Sequence, residues 1–157
     1  MMMERWQKFW RLNGFERGLV LESGAGLLAT WLGLRLAGFR RWKIALTWLA
    51  PSANATTHLR AASRRHCADA IARMSAAAAR NLFFTTNCLE KSLVLWWLLR
   101  RRGIAAELRI GARKELERFE AHAWVELDSQ VLNDAGEENR RFVPFEGPIT
   151  PMETRTN

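Results

Sequence analysis

Cysteine is scarce in this sequence, which has only two, Cys67 and Cys88. Two thiols are too few for the disulfide framework of a small secreted protein, so we expect a reducing compartment and a cytoplasmic protein. The opening residues, MMMERWQKFWRLNG, are basic but contain no apolar core followed by a small-residue cleavage site. The sequence therefore predicts no signal peptide.

Long apolar runs are also missing. The longest extends from Ala25 to Leu34 and ends at Arg35, about half of what a membrane-spanning helix needs. We therefore predict no transmembrane segment. No internal repeat or low-complexity tract is present, and 157 residues suit a single domain with its own core.

Charge is plentiful but unspecific. The net charge of +8 suits nucleic acid, an anionic membrane or an acidic peptide. The arginines form short clusters spread along the whole chain, which is typical of solvated helix ends and faces: Arg40–Arg41, Arg64–Arg65, Arg100–Arg102 and Arg140–Arg141. We expect no nucleic-acid partner, although a basic, tryptophan-rich binding module without chemistry stays an alternative.

The first fifty residues are predicted to be helical, with breaks at Asn13–Gly14 and near Gly38 and an end at Pro51. Five of the eight tryptophans lie in this part: Trp6, Trp10, Trp31, Trp42 and Trp48. Aromatic residues at helical spacing usually fill a core, but tryptophan and arginine together also mark docking surfaces. Trp6 and Trp10 are our candidates for docking a substrate or partner.

A second helix is predicted from Ala55 to Arg80. Cys67 lies in its apolar stripe, which favours a packing role for this thiol. His58 and His66 stand beside arginines, and we expect both on the surface.

Cys88 is the predicted nucleophile. Asn87 can cap a helix whose first residue is Cys88 and whose third is Glu90, the spacing of a capping box, and Gly103 is a suitable stop. A thiol in the first helical turn faces unpaired N–H groups and the positive end of the helix dipole, which favour the thiolate. The Cys88 N–H is also placed to stabilise an oxyanion, with Asn87 or a loop amide as a second donor.

Strand patterns follow at 107–110, 121–127 and 131–134, and a fourth is predicted at 142–145. In the second of them His122 shares a face with Trp124 and Glu126, whereas alanine, valine and leucine take the other face. His122 is therefore the predicted general base. Trp124, on the same face, is a further candidate for substrate or partner docking.

Asp134 is the predicted partner that orients His122. Glu126 and Asp128 stand roughly 13 and 20 Å along the strand from His122, out of hydrogen-bond reach. If residues 127–129 form a three-residue hairpin loop, Asp134 lies opposite His122, about 5 Å away between Cβ atoms. A two-residue turn would shift this register by one and remove the pairing of Asp134 with His122. Asn133, one position earlier in the chain, is the alternative orienter.

The segment CLEKSLVLWWLLRRRGIAAELRIGARKELERFEAHAWVELDSQVLND resembles the leader peptidases of lasso-peptide biosynthesis, processing proteins of the microcin J type within the transglutaminase-like superfamily. The resemblance covers Cys88 to about Phe145 and rests on the Cys-Leu-x-x-Ser-Leu helix start, RRRGI, IGAR and above all AHAWVE. Ser129 stands where the family's hairpin would have glycine.

The resemblance implies an α+β fold, in which a catalytic helix packs on a small antiparallel sheet in a papain/transglutaminase-like core. We expect a helical N-terminal region at 1–54, the core at 55–150 and a disordered tail at 151–157. Cys88, His122 and Asp134 would be nucleophile, base and orienter of a cysteine endopeptidase that needs no cofactor or metal. Its partners would be the precursor peptide, a separate leader-recognition protein and an ATP-using lasso cyclase.

A second enzymatic interpretation is acyl transfer, because an amine can intercept a thioester in place of water. Kinship within a fold does not choose between the two reactions.

Overall fold

In the described part of the chain, three helices pack with a four-stranded antiparallel sheet. The computed structural model describes residue 10 and residues 12–50, 61–115, 118–133 and 142–145. The helices are α1 (Gly14–Trp48), α2 (Ala61–Asn81) and α3 (Cys88–Arg101). The strands are β1 (Glu107–Glu115), β2 (Arg118–Leu127), β3 (Gln130–Val131) and β4 (Val143–Pro144), in the spatial order β3-β2-β1-β4. This confirms the predicted α+β class and the fourth strand.

Helix α1 starts and bends where the sequence predicts. Asn13 caps it, accepting from the Glu16 N–H while the Glu16 carboxylate accepts from the Asn13 N–H. At Gly38 the backbone has φ 76°, a left-handed value that glycine tolerates. The Trp42 Nε1–H donates to Thr30 Oγ1 at 3.2 Å. Twelve residues of straight helix would separate these two by about 18 Å, so the chain turns back sharply at Gly38.

The core lies between the helices and one face of the sheet. Leucines of α1 and α3, together with Ile71 and alanines of α2, meet Leu108 of β1 and Val125 and Leu127 of β2 there. Cys67 is half-buried against this core, as predicted, and His66 is exposed, as predicted. Residues 51–60, which include His58 and the predicted boundary at 54, lie outside the described residues.

By length and composition α1 is apolar enough to cross a membrane. A core helix passes the same test, and α1 contributes Leu19, Leu27 and Leu46 to the core. Two ion pairs also join its Glu22 to Arg101 and Arg102 beside the end of α3, at 2.5 and 2.6 Å. We therefore describe α1 as a packing partner of α3.

The hairpin between β2 and β3 differs from the prediction. Glu126 pairs with Val131 and Leu127 with Gln130, so the residue numbers of each pair add up to 257 and not to 256. The turn has two residues, Asp128 and Ser129, with φ of 51° and 62°, as a type I′ turn requires. The predicted three-residue loop is wrong, and the register that set Asp134 opposite His122 is lost with it.

Candidate active site

Cys88 is the first residue of α3, and the predicted capping box is confirmed. The Asn87 side chain accepts from the Glu90 N–H at 2.8 Å, and the Glu90 carboxylate accepts from the Asn87 N–H at 3.0 Å. Asn87 Oδ1 accepts the cap hydrogen bond, and the side-chain group of Asn87 that could donate to an oxyanion is Nδ2, because a carbonyl oxygen carries no hydrogen. Cys88 itself is half-buried, and its thiol is free. The cap uses the Glu90 N–H, and the N–H groups of Cys88 and Leu89 at the helix start have no partner within the helix.

One buried hydrogen bond ties α3 to β2 close to both predicted catalytic residues. Ser92 Oγ donates to the Ala123 carbonyl at 2.8 Å. Ser92 stands one turn after Cys88, and Ala123 directly follows His122. A short connection leads from α3 into β1, and β2 runs antiparallel to β1. Cys88 thus lies four residues before one partner of this bond, and His122 lies one residue before the other.

His122 is half-buried among aromatic rings. Its imidazole stacks against Trp124, with ring centroids 6.1 Å apart and planes inclined by 17°. Phe142, just before β4, stacks against it as well at 5.0 Å. The imidazole Nε2 is removed from solvent. The two rings restrict the imidazole to a narrow range of orientations, which suits a base that must stay aligned.

Gly111 of β1, opposite His122, makes room for this arrangement. A Cβ atom there would lie 2.8 Å from the Val143 carbonyl oxygen and 2.9 Å from the Trp124 ring. Trp124 is only 3% exposed, and its Nε1–H donates to Glu126 at 2.7 Å. Trp124 therefore supports His122 and offers little surface for the docking role that we considered.

The two candidates for orienting His122 fare differently. Asp134 lies outside the described residues. Asn133, the alternative, is engaged elsewhere: Oδ1 accepts from the Val125 N–H at 2.9 Å, and Nδ2 donates to Ser92 Oγ at 2.8 Å. Both polar atoms of the Asn133 side chain thus bond to Ser92 and to the edge of β2, and neither of these bonds goes to the imidazole of His122.

Of the predicted docking tryptophans, Trp6 lies outside the described residues. Trp10 is 61% exposed, and the Arg17 guanidinium lies 5.3 Å from its ring centroid. The N-terminal end of α1 therefore presents an aromatic and basic surface.

A second aromatic and basic group flanks the start of α3. Phe84 lies 5.5 Å from the ring of Trp31 of α1, and the Arg35 guanidinium covers that ring at 4.0 Å. Arg35 also reaches the buried Glu90 of the cap at 3.4 Å. Sequence reasoning missed this group, because only tertiary packing brings α1 to the start of α3.

Sequence reasoning also missed Ser92, although a signal was available. Cys88 and Ser92 are four residues apart, which places them on one helical face. Among the described residues, no group of three or more histidine, cysteine, aspartate or glutamate side chains could hold a metal ion.

Comparison with known families identifies the fold. The family model of the transglutaminase-like superfamily matches residues 27–146, which is most of the chain. The chain belongs to the transglutaminase-like superfamily. This confirms the expected fold, and no solved structure matches the chain.

A particular relative is the microcin J25-processing protein McjB of Escherichia coli. The two are 44% identical over 52 residues, a segment that covers 33% of this chain and 24% of McjB. The match thus spans about a quarter of that relative's length. This similarity confirms the resemblance to processing proteins of the microcin J type.

Proposed function

We propose that this chain is a cysteine endopeptidase that removes the leader peptide from a ribosomally made lasso-peptide precursor. The observation that carries the proposal is the Ser92–Ala123 bond, because it joins the capped helix start at Cys88 to the strand of His122. The superfamily match and the similarity to a microcin J25-processing protein support a peptide-processing role.

The proposed reaction begins with attack by the Cys88 thiolate on the carbonyl carbon at the leader–core junction. The carbonyl oxygen becomes an oxyanion that accepts a hydrogen bond from the Cys88 N–H at the helix start. His122, which took the thiol proton, returns it to the departing amine. The C–N bond breaks, the core peptide leaves, and the leader stays as a thioester on Cys88.

Water then resolves the thioester. His122 removes a proton from the water, the new oxygen bonds to the carbonyl carbon, and the C–S bond breaks to release the leader carboxylate. Asp134 is proposed to hold the imidazole in its working tautomer, on the strength of the family resemblance.

The proposal includes partners and a compartment. A separate leader-recognition protein delivers the precursor, and a lasso cyclase acts on the released core; both follow from the resemblance alone. The free thiols Cys67 and Cys88 support the cytoplasm as the compartment.

The decisive experiment incubates precursor and recognition protein with this chain and follows cleavage by mass spectrometry. We expect Cys88→Ala to lower the cleavage rate by at least about a thousandfold, since a nucleophile is removed. Cys67→Ala, a matched change of the other thiol, should cleave at the wild-type rate. Cleavage that survives Cys88→Ala would disprove the proposal.

Acyl transfer is the second candidate, favoured by the superfamily to which the chain belongs. Product masses separate the reactions, because hydrolysis adds a water to the leader and transfer adds the amine in its place. A leader–amine adduct formed with added primary amines, together with little free leader acid, would favour transfer over the peptidase.

A further inference from the structure

Four polar groups form a chain of hydrogen bonds, part-buried at Asn133 and buried at Ser92, between α3 and the edge of β2. The Val125 N–H donates to Asn133 Oδ1, Asn133 Nδ2 donates to Ser92 Oγ, and Ser92 Oγ donates to the Ala123 carbonyl. The three distances are 2.9, 2.8 and 2.8 Å. Ser92 is completely buried. Each hydrogen bond in this chain has a fixed donor and acceptor, because the Asn133 oxygen accepts from the strand and the Asn133 nitrogen donates to the serine.

The bonds lie next to the backbone pairing between β2 and β3. Within the described residues this ladder contains Glu126–Val131 and Leu127–Gln130, and a further backbone bond joins the Leu132 N–H to the Val125 carbonyl. Next to it, the side chains of Asn133 and Ser92 bond to the edge of β2. A helix residue is thereby bonded directly to the edge of β2, next to His122.

We propose that Ser92, held by Asn133, is a positioning residue that fixes Cys88 relative to His122. The inference rests on the proposed function, since it concerns the same site. Cys88 and Ser92 share one helical face and stand about 6 Å apart along the axis. His122 adjoins the carbonyl that Ser92 holds. The bond therefore sets the sliding and rotation of α3 against β2 close to the reacting atoms.

A hydroxyl group is suited to this position because it accepts from Asn133 and donates to Ala123 at once. Alanine at 92 would remove the hydrogen bonds of Ser92 to the Ala123 carbonyl and to Asn133 Nδ2 and let the start of α3 shift. A misplacement of about 1 Å near reacting groups can cost about a hundredfold in rate.

The test compares Ser92→Ala with Ser92→Thr, which keeps the hydroxyl. Cleavage of the precursor is followed together with alkylation of Cys88 by iodoacetamide from pH 5 to pH 9. For Ser92→Ala we expect kcat to fall by about 10- to 100-fold with little change in KM, since alignment and not binding is lost. The alkylation profile should shift toward that of His122→Ala, and Ser92→Thr should restore both readouts to within a few-fold of wild type.

Ser23→Ala is the matched control. Ser23 of α1 is as completely buried as Ser92, but its Oγ makes no hydrogen bond in the described part of the chain. We expect this variant to keep the wild-type kcat and alkylation profile. A general effect of removing a buried hydroxyl would appear in both variants.

Asn133→Asp is a milder change for the case that Ser92→Ala does not fold. It keeps the acceptor for the Val125 N–H and removes the donor to Ser92, so we expect a smaller loss of kcat in the same direction. If Ser92→Ala or Asn133→Asp lowers only the melting temperature, and kcat and the alkylation profile stay at wild-type values, the inference is overturned.

Failure of the proposed function looks different. Cleavage by Cys88→Ala would contradict the endopeptidase, whereas Cys88-dependent cleavage at full rate in Ser92→Ala would contradict only the positioning role. The alkylation profile needs no precursor, so it tests the positioning of Cys88 even if the chain acts on another substrate.

Discussion

Helices α1 and α3 begin with the same local structure. In both, an asparagine and the glutamate three residues later form a capping box, with hydrogen bonds of 2.8 and 3.1 Å at Asn13–Glu16 and 2.8 and 3.0 Å at Asn87–Glu90. The first cap is exposed. In the second, Glu90 is 3% exposed and Arg35 of α1 reaches it.

The difference teaches that a cap determines where a helix starts and nothing more. Gly14 follows the first cap and Cys88 follows the second. What makes the second start a candidate active site is the sheet beside it, through the bond from Ser92 to the strand of His122.

Of the changes that test how α1 and α3 depend on each other, the largest effect on the free energy of unfolding is expected where α1 crosses α3. Lys43 of α1 is buried, and its ammonium lies 5.9 Å from the ring centroid of Trp96 of α3. Desolvation by burial lowers the Lys43 pKa from 10.5 to about 8. The unfolded chain therefore binds more protons than the folded chain between about pH 8 and pH 10.5, and stability should rise with pH across this window.

Lys43→Met should remove that rise and raise the free energy of unfolding at pH 7 by at most about 3 kcal/mol. Urea denaturation of wild type and variant at pH 7 and pH 9.5 measures both. Lys91→Met, at an exposed lysine of α3, is the control and should keep the wild-type pH dependence. An equal rise with pH in Lys43→Met and wild type would contradict the assignment to Lys43.

Removing the two caps tests the comparison directly. Asn87→Ala should cost about 1–2 kcal/mol and Asn13→Ala about 0.5–1 kcal/mol in the free energy of unfolding, because the second cap is part-buried. Only Asn87→Ala should also lower kcat for precursor cleavage, since it loosens the turn that carries Cys88. Urea denaturation and cleavage kinetics give the two readouts. Equal loss of kcat in both variants would mean that the caps act through overall stability alone.

The smallest effect is expected for Arg35→Gln. Glu90 keeps both cap hydrogen bonds, and Arg35 is 54% exposed, so solvent screens the ion pair and its loss should cost less than about 1 kcal/mol. Thermal unfolding at low and high salt measures it, and the difference from wild type should shrink in 1 M salt. Arg41→Gln, at an exposed arginine beyond the Gly38 bend, is the matched control. A loss as large as that of Asn87→Ala would show that Arg35 is part of the cap.

The features that could be predicted from the sequence are local. Caps at Asn13 and Asn87, the bend at Gly38 and the stop at Gly103 each depend on one or two side chains and on backbone conformation within a few residues. The alternation of β2 was equally readable, because one strand face packs against the core.

The hairpin register was not predictable in the same way. Asp128 and Ser129 both adopt positive φ without a glycine, which ordinary turn preferences disfavour. A long-range contact supports the turn, because Arg64 of α2 donates to both carboxylate oxygens of Asp128, at 2.9 and 3.2 Å. The residue spacing within the hairpin does not predict a contact with an arginine 64 residues away in the chain.

The sequence by itself determined a capped thiol at Cys88 and the strand face of His122, because helix starts and strand faces follow from neighbouring residues. Only the tertiary structure decided what stands around them: the Ser92 bond to β2, the aromatic rings on His122 and the engagement of Asn133 away from the imidazole. These contacts join residues distant in the chain. They arise only when the buried core sets α3 against the sheet.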